Sequence, residues 1–421
     1  AASTAGNSFR TTGFKNEGIS VANTDYFQVT LSAATGKQLS LSDISAKFNG
    51  TTSFFAAPGV TSQFAYSLDG TTFTLIGSPV TSTSLTMLPV DLTGISALQN
   101  VTSGTTVTIR YYASGQTTTG GWGFSSAFAG DNGLAFGGTI TCIQNMSTAN
   151  YRTVQSGDFA DPATWEYQNG CGVWVQATQP PGSQNNCIIR TLNHADLFAP
   201  QLIASLEVES GGSLTLNDSL TITGAGGNGS SPSLSVRDTV TLTHQGRLLD
   251  ASGSPIIVSS GGVIISEGSI EVNGDMTVNG KYHGELGKLI FKGSVPQVLD
   301  NSPVVLPPGN FGEVICDNTV SVDLTGNQDV TVYRLKGHLG TVSILRKTAV
   351  QNSVVIDPGA TLNIMASSEL SVGGDWINNG GTFIPGTGKV IFNGTGTSHI
   401  GGTAATETFY DLETSCTDLV N

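Results

Sequence analysis

Charge is what this sequence has least of. Asp, Glu, Lys and Arg make up 11% of its 421 residues, against roughly 25% in an average soluble domain. Basic residues are the scarcer half, 17 against 31 acids, and the net charge is −14. They form no cluster, which argues against nucleic acid or an anionic membrane as partner, since both need a basic face. Long apolar runs are missing as well. The longest are four or five residues, far below the roughly 20 that span a bilayer as a helix, so no membrane insertion is expected.

The standard catalytic signatures are also missing. There is no GxSxG elbow, no P-loop and no HExxH, which closes those routes to acyl transfer, phosphoryl binding and zinc hydrolysis. The five histidines, 194, 244, 283, 338 and 399, stand far apart with no HxxxH or CxxC partner. Metal ligands must converge, so no metal and no cofactor are expected. Gly224 to Gly229 formally match GxGxxG, but a dinucleotide needs a helix to follow, and SSPSLSVRD follows instead. A glycine-rich connection between strands is expected there.

What the chain has is repetition. EVNGDMTVNGKYHGELGKLIFKGS at 271 to 294 returns as SVGGDWINNGGTFIPGTGKVIFNGT at 371 to 395. Gly274-Asp275 corresponds to Gly374-Asp375, Gly287-Lys288 to Gly388-Lys389, and Phe291 to Phe392. A shorter echo places Gly211, Gly261 and Gly359 at the same point of an apolar-turn-apolar pattern. Short alternating Val, Ile and Leu strands broken by Gly, Asn, Asp and Ser argue strand and turn, not helix. Units of this length that cannot bury their apolar edge alone must stack. The expectation for 201–421 is a right-handed parallel β-helix with turns of roughly 20 to 25 residues.

Residues 1–142 carry no such echo and have longer alternating strands. Phe64, Tyr66 and Leu68 share one face, Asp69-Gly70 supplies a tight turn, and Phe73 and Leu75 face inward on the return. Val107, Ile109 and Tyr111 repeat the alternation. This predicts a β-sandwich, specifically a jelly roll. Residues 143–200 are read as a junction and the opening segment of the solenoid.

Two resemblances bear on this. DYFQVTLSAATGKQLSLSDI, AYSLDGTTFTLIG, TVTIRYYASG and GDNGLAFGGTI resemble jelly-roll modules of secreted bacterial surface proteins. Gly157-Asp158-Phe159 with Ala163-Thr164-Trp165, followed by Ser205 to Leu216, Gly287 to Val314 and Gly388 to Leu412, resembles β-helical surface proteins of the Bacteroidota. The likeness implies export to the cell surface, often by the type IX route, although no sorting domain of that route is visible. Ala1-Ala2-Ser3 without an initiator Met fits removal of a secretory signal peptide. Phe409 to Leu412 opens what reads as another turn just before residue 421. Terminal repeats normally carry a polar cap, so a fragment, or a subunit whose open end a partner or a second copy covers, is expected.

Candidate sites are few. Trp122, with Tyr111 and Tyr112, would offer an aromatic platform for a glycan or other cell-surface ligand if exposed, and packs in the sandwich core if not. Asp131-Asn132 is either a turn or, by the family likeness, a calcium position. Cys171 and Cys187 flank a loop that a disulfide would close, with Cys142 as the competing partner for either. Cys316 and Cys416 read as small core residues. Asp218-Ser219-Leu220 and Asp238-Thr239-Val240 match the Asp-Ser/Thr-apolar sequon of Bacteroidota O-glycosylation, giving Ser219 and Thr239. Asp275, Asp357 and Asp375 sit beside or near glycine, where Asp serves a turn. The reading is a non-enzymatic extracellular surface protein, an adhesin or fibre subunit with a solenoid stalk and a jelly-roll head. A secreted polysaccharide-binding or polysaccharide-degrading protein is the alternative.

Overall fold

The computed structural model describes residues 7–224, 231–284, 286–303, 309–404 and 406–420. The glycine-rich GxGxxG stretch lies largely outside these. Half of the chain is strand and 2% is helical, in two compact units: 1–144 with 169–173, and 145–168 with 174–421.

The strands of the first unit pair only antiparallel. One sheet joins Phe27–Leu31, Val107–Ser114, Val60–Ser67 and Thr74–Leu75, with Val80–Ser82 on the same strand's edge; another joins Leu134–Cys142, Lys37–Ala46 and Val90–Asp91. A third carries Ser8–Thr11, Trp122–Ser125 and Phe48–Gly50. These fit a β-sandwich. Alternation buries Val107, Ile109 and Tyr111 as the sequence predicts. The core is aromatic: Phe48 stacks on Tyr111, Trp122 and Phe124 with centroids 5.3, 5.2 and 5.7 Å apart. Such pairs add about 0.5–1.5 kcal/mol each beyond the area they bury.

The hairpin after Val60–Ser67 differs from the tight turn expected. The strands stop at Ser67 and resume at Thr74, and Asp69 organises the loop by accepting the N–H groups of Thr71 and Thr72 at 2.8 and 2.7 Å. Ile76, not Phe73 or Leu75, takes the buried place. Phe73 lies under the Arg110 guanidinium, 3.6 Å from its centroid, and Leu68 is exposed.

The second unit is a β-solenoid of about ten turns. A typical turn runs Ile256–Val258, Val263–Ser266, Ser269–Val272, each strand belonging to a different parallel ladder. The next turn follows in register, Ile256 against Met276, Val263 against Lys281 and Ser269 against Lys288. Inward positions form one continuous core from Tyr151 to Phe392 that includes Cys187 and Cys316; Cys416 is packed against it but only partly buried. Parallel pairing begins at Tyr151 against Cys187, within the segment 143–200 read from sequence as junction and solenoid entry. Residues 145–168 and 174–200 open the stack around Tyr151, Phe159 and Trp165, and here Trp165–Gln168 pairs antiparallel with both Tyr151–Thr153 and Trp174–Gln176.

The repeated segments hold matching strands, but the second copy is rotated by one face. Following the ladder from Ser269–Val272 leads through Lys288–Phe291 and on to Trp376–Asn378. By sequence, the counterpart of Ser269–Val272 is Glu369–Val372, which pairs in the ladder of Thr348–Val350 and Lys389–Phe392. One side of the solenoid substitutes for another because each strand and corner sees only the turn beside it.

Candidate functional site

A cavity of about 440 Å³ opens in the first unit beside the edge strand Val80–Ser82 and the segment 84–90. Phe48, Phe64, Ile76 and Trp122 make its deep apolar surface, and Met87, Leu88 and Val80 its mouth. Ser62, Gln63, Ser84 and Thr86 are among its polar lining residues, and no charged side chain is among them. The deep polar atoms already have partners. Trp122 Nε1 donates to Tyr111 Oη at 3.0 Å, Tyr111 Oη bonds Ser62 Oγ at 2.7 Å, and Gln63 Nε2 donates to the Gly77 carbonyl at 2.7 Å. Burial pushes the Tyr111 phenol far above its ordinary value, so it stays neutral.

Trp122 is therefore no open platform; it is 1% exposed and contributes to the cavity from below. Tyr112 is fully buried on the other face of its strand, edge-on to Tyr26, because neighbours in a strand point to opposite sides. Asp131 closes a turn, its N–H donating to the Phe128 carbonyl at 3.1 Å, and Asn132 follows it. Lys47 Nζ lies 2.5 Å from Asp131 Oδ1, and the Ala127 N–H donates to Oδ2 at 2.7 Å. The Lys47 bond, with that of Ala127, holds the Asp131 carboxyl below its usual range. A calcium ion would have to displace this ammonium.

Cys171 pairs with Cys142 and not with Cys187. The Cα atoms of the bonded pair are 5.4 Å apart, within the range a disulfide spans. Cys187 belongs to Asn186–Ile189, where alternation turns it into the solenoid core between Tyr151 and Leu206. Burial pushes its thiol well up. Ser219 and Thr239 open the strands Ser219–Ile222 and Thr239–Leu242, each with its hydroxyl bonded to the preceding carboxylate, Asp218 at 3.3 Å and Asp238 at 3.0 Å.

The solenoid surface carries two groupings that sequence reading missed. His194 Nδ1 lies 2.7 Å from Ser213 Oγ, and its Nε2 lies 3.1 Å from Asp196 Oδ1. Triad chemistry also needs N–H donors aimed at a developing oxyanion. Here the adjacent N–H groups are engaged, that of Ser213 by the Asn193 carbonyl and that of His194 by Ser156 Oγ. The second grouping is a cleft lined by Glu313, Tyr333, Arg334 and Gln351. Tyr333 is 42% exposed, and Arg334 lies 3.5 Å from Glu313. Both draw on residues of adjoining turns, which the ladder register brings side by side.

Several solenoid carboxylates are engaged by bases from neighbouring turns. Glu271 meets Arg247 and Lys292 at 3.2 and 3.1 Å, and Asp357 meets Lys336 and His338 at 2.8 Å. Among the described residues, no three His, Cys, Asp or Glu side chains converge, and no helix is long and apolar enough to cross a membrane. The chain matches no protein-family model, no curated protein and no solved structure.

Proposed function

We propose that the chain is a non-catalytic extracellular surface protein in which the solenoid is a stiff spacer and the β-sandwich the binding head. What carries this reading is the solenoid surface: acids such as Glu271, Glu313 and Asp357 are matched by bases on adjoining turns, an arrangement that ties turn to turn. Catalysis on a polysaccharide would instead use free carboxylates gathered across a groove. Copies are proposed to associate through the C-terminal turns, where Ile400, Phe409, Leu412 and Leu419 line an open cleft.

A second reading, glycan binding, draws on the Tyr333 cleft, which sets a half-exposed ring beside the polar fork of Arg334 and the Gln351 amide. Incubation of the purified protein with soluble polysaccharides tests both. Retention on a glycan surface without new reducing ends supports a binding protein. Cleavage that Glu313→Gln abolishes would replace that reading with an enzymatic one. Electron microscopy of the same material shows whether copies join end to end.

A further inference from the structure

We propose that the β-sandwich cavity is a binding site for an uncharged, largely apolar small molecule bearing one or two hydroxyl or carbonyl groups. Its volume, about 440 Å³, falls within the roughly 300–1,000 Å³ of small-molecule sites. The deep wall is already built: Trp122 stacks on Phe48 at 5.2 Å and is held by its bond to Tyr111. A ligand therefore finds a formed surface and pays little ordering entropy on entering.

Charge and polarity define the ligand class. With no charged side chain in the lining, an ionic ligand would lose its hydration with nothing to offset it. A sugar would fare poorly for a related reason. Its many hydroxyls would face rings and a Tyr111, Ser62 and Trp122 chain whose hydrogen bonds are already made among themselves. Water is weakly held against such a surface, so an apolar body that displaces it gains affinity. The Ser84 hydroxyl is engaged, donating to the Thr86 carbonyl at 2.8 Å and accepting the Thr86 N–H at 3.1 Å, so the Thr86 hydroxyl, in an exposed segment of the lining, is the group left for the ligand's polar end. The segment 84–90 is tied to the sandwich by the Met87 N–H on the Ala46 carbonyl.

The probe is 1-aminoanthracene, neutral at pH 7, titrated into the intact chain with excitation of tryptophan. Trp122 lines the cavity itself, so it serves as the energy donor. The expected result is saturable binding of one probe per chain, with energy transfer that falls in Trp122→Phe. Val80→Glu and Leu88→Asp place a charge at mouth positions that are 52% and 86% exposed, where folding tolerates it. Each is expected to weaken binding about tenfold, and an anionic anthracene sulfonate to bind about tenfold more weakly than the neutral probe. Absence of saturable binding, affinity unchanged in both charge variants, or transfer unchanged in Trp122→Phe would overturn the proposal.

Discussion

Asp275 and Asp375 make the same bond a hundred residues apart. Asp275 Oδ1 accepts the Val298 N–H at 2.8 Å, and Asp375 Oδ1 accepts the His399 N–H at 2.9 Å. Their own carbonyls accept, in turn, from Ile256 and Val354 on the preceding turn. Each aspartate thus pins a corner between the turn before and the turn after. Asp275→Ala and Asp375→Ala are each expected to cost about 1 kcal/mol, read as a lowered denaturation midpoint with no loss of probe binding in the sandwich.

The glycines that precede them are dictated by space. A Cβ on Gly274 would lie 2.3 Å from the Ser254 carbonyl oxygen, and one on Gly374 would lie 2.3 Å from that of Asn352. Gly274→Ala and Gly374→Ala are expected to destabilise by about 1–3 kcal/mol each. Gly396→Ala, where a Cβ meets nothing within 4 Å, is expected to stay within about 0.5 kcal/mol of the parent. Thermal unfolding of the three variants side by side makes the comparison.

Acid should loosen the stack at Asp357. Burial pushes this carboxyl up, but hydrogen bonds from His338, Lys336 and Asn379 outweigh it and hold it at about 2, below the ordinary 3.8. Because the folded value is the lower one, the stabilisation is complete above about pH 4 and is lost as pH falls towards about 2. Asp357→Asn is expected to flatten the stability curve across that window while leaving a smaller, pH-independent loss at neutrality. Denaturant midpoints at stepped pH provide the check.

Thiol chemistry separates the five cysteines. In the folded chain only Cys416 is accessible to an alkylating reagent, since Cys187 and Cys316 are buried and burial raises the Cys316 thiol to about 12. After unfolding without reductant, three thiols should react, and intact mass reads the count. Loss of the Cys142–Cys171 bond, which closes a loop of sequence separation 29, is expected to cost about 3–4 kcal/mol in the chain-entropy account. Cys142→Ser measures it.

The solenoid was legible in sequence because its corners leave no room for side chains, so Gly274, Gly287 and their later counterparts recur where backbones meet. Its entry segment shows no such repeat, since aromatic packing around Tyr151 and Trp165 replaces the glycine pattern there, and it was read only from the Gly157 to Trp165 resemblance. The rotation between the two copies was also invisible: spacing along the chain does not record which face a strand occupies. The pairing of Cys171 depended on which cysteine a strand turns inward, and the two candidates differ in that and not in composition. The cavity draws on Phe48, Phe64, Ile76, Met87 and Trp122, five positions with no shared motif, so only the folded sandwich brings them together.

The hydrogen bonds between turns run along the solenoid axis, from Ile256–Val258 to Met276–Val278 and onward. Tension along that axis loads them in series, and the weakest turn yields while the others hold. Each turn that opens releases about twenty residues, judged from the Ile256-to-Met276 and Leu370-to-Val390 registers, or on the order of 65 Å of extended chain. Pulled along its axis, the solenoid would lengthen in discrete steps, dissipating a sudden load as a series of small ruptures instead of transmitting it whole.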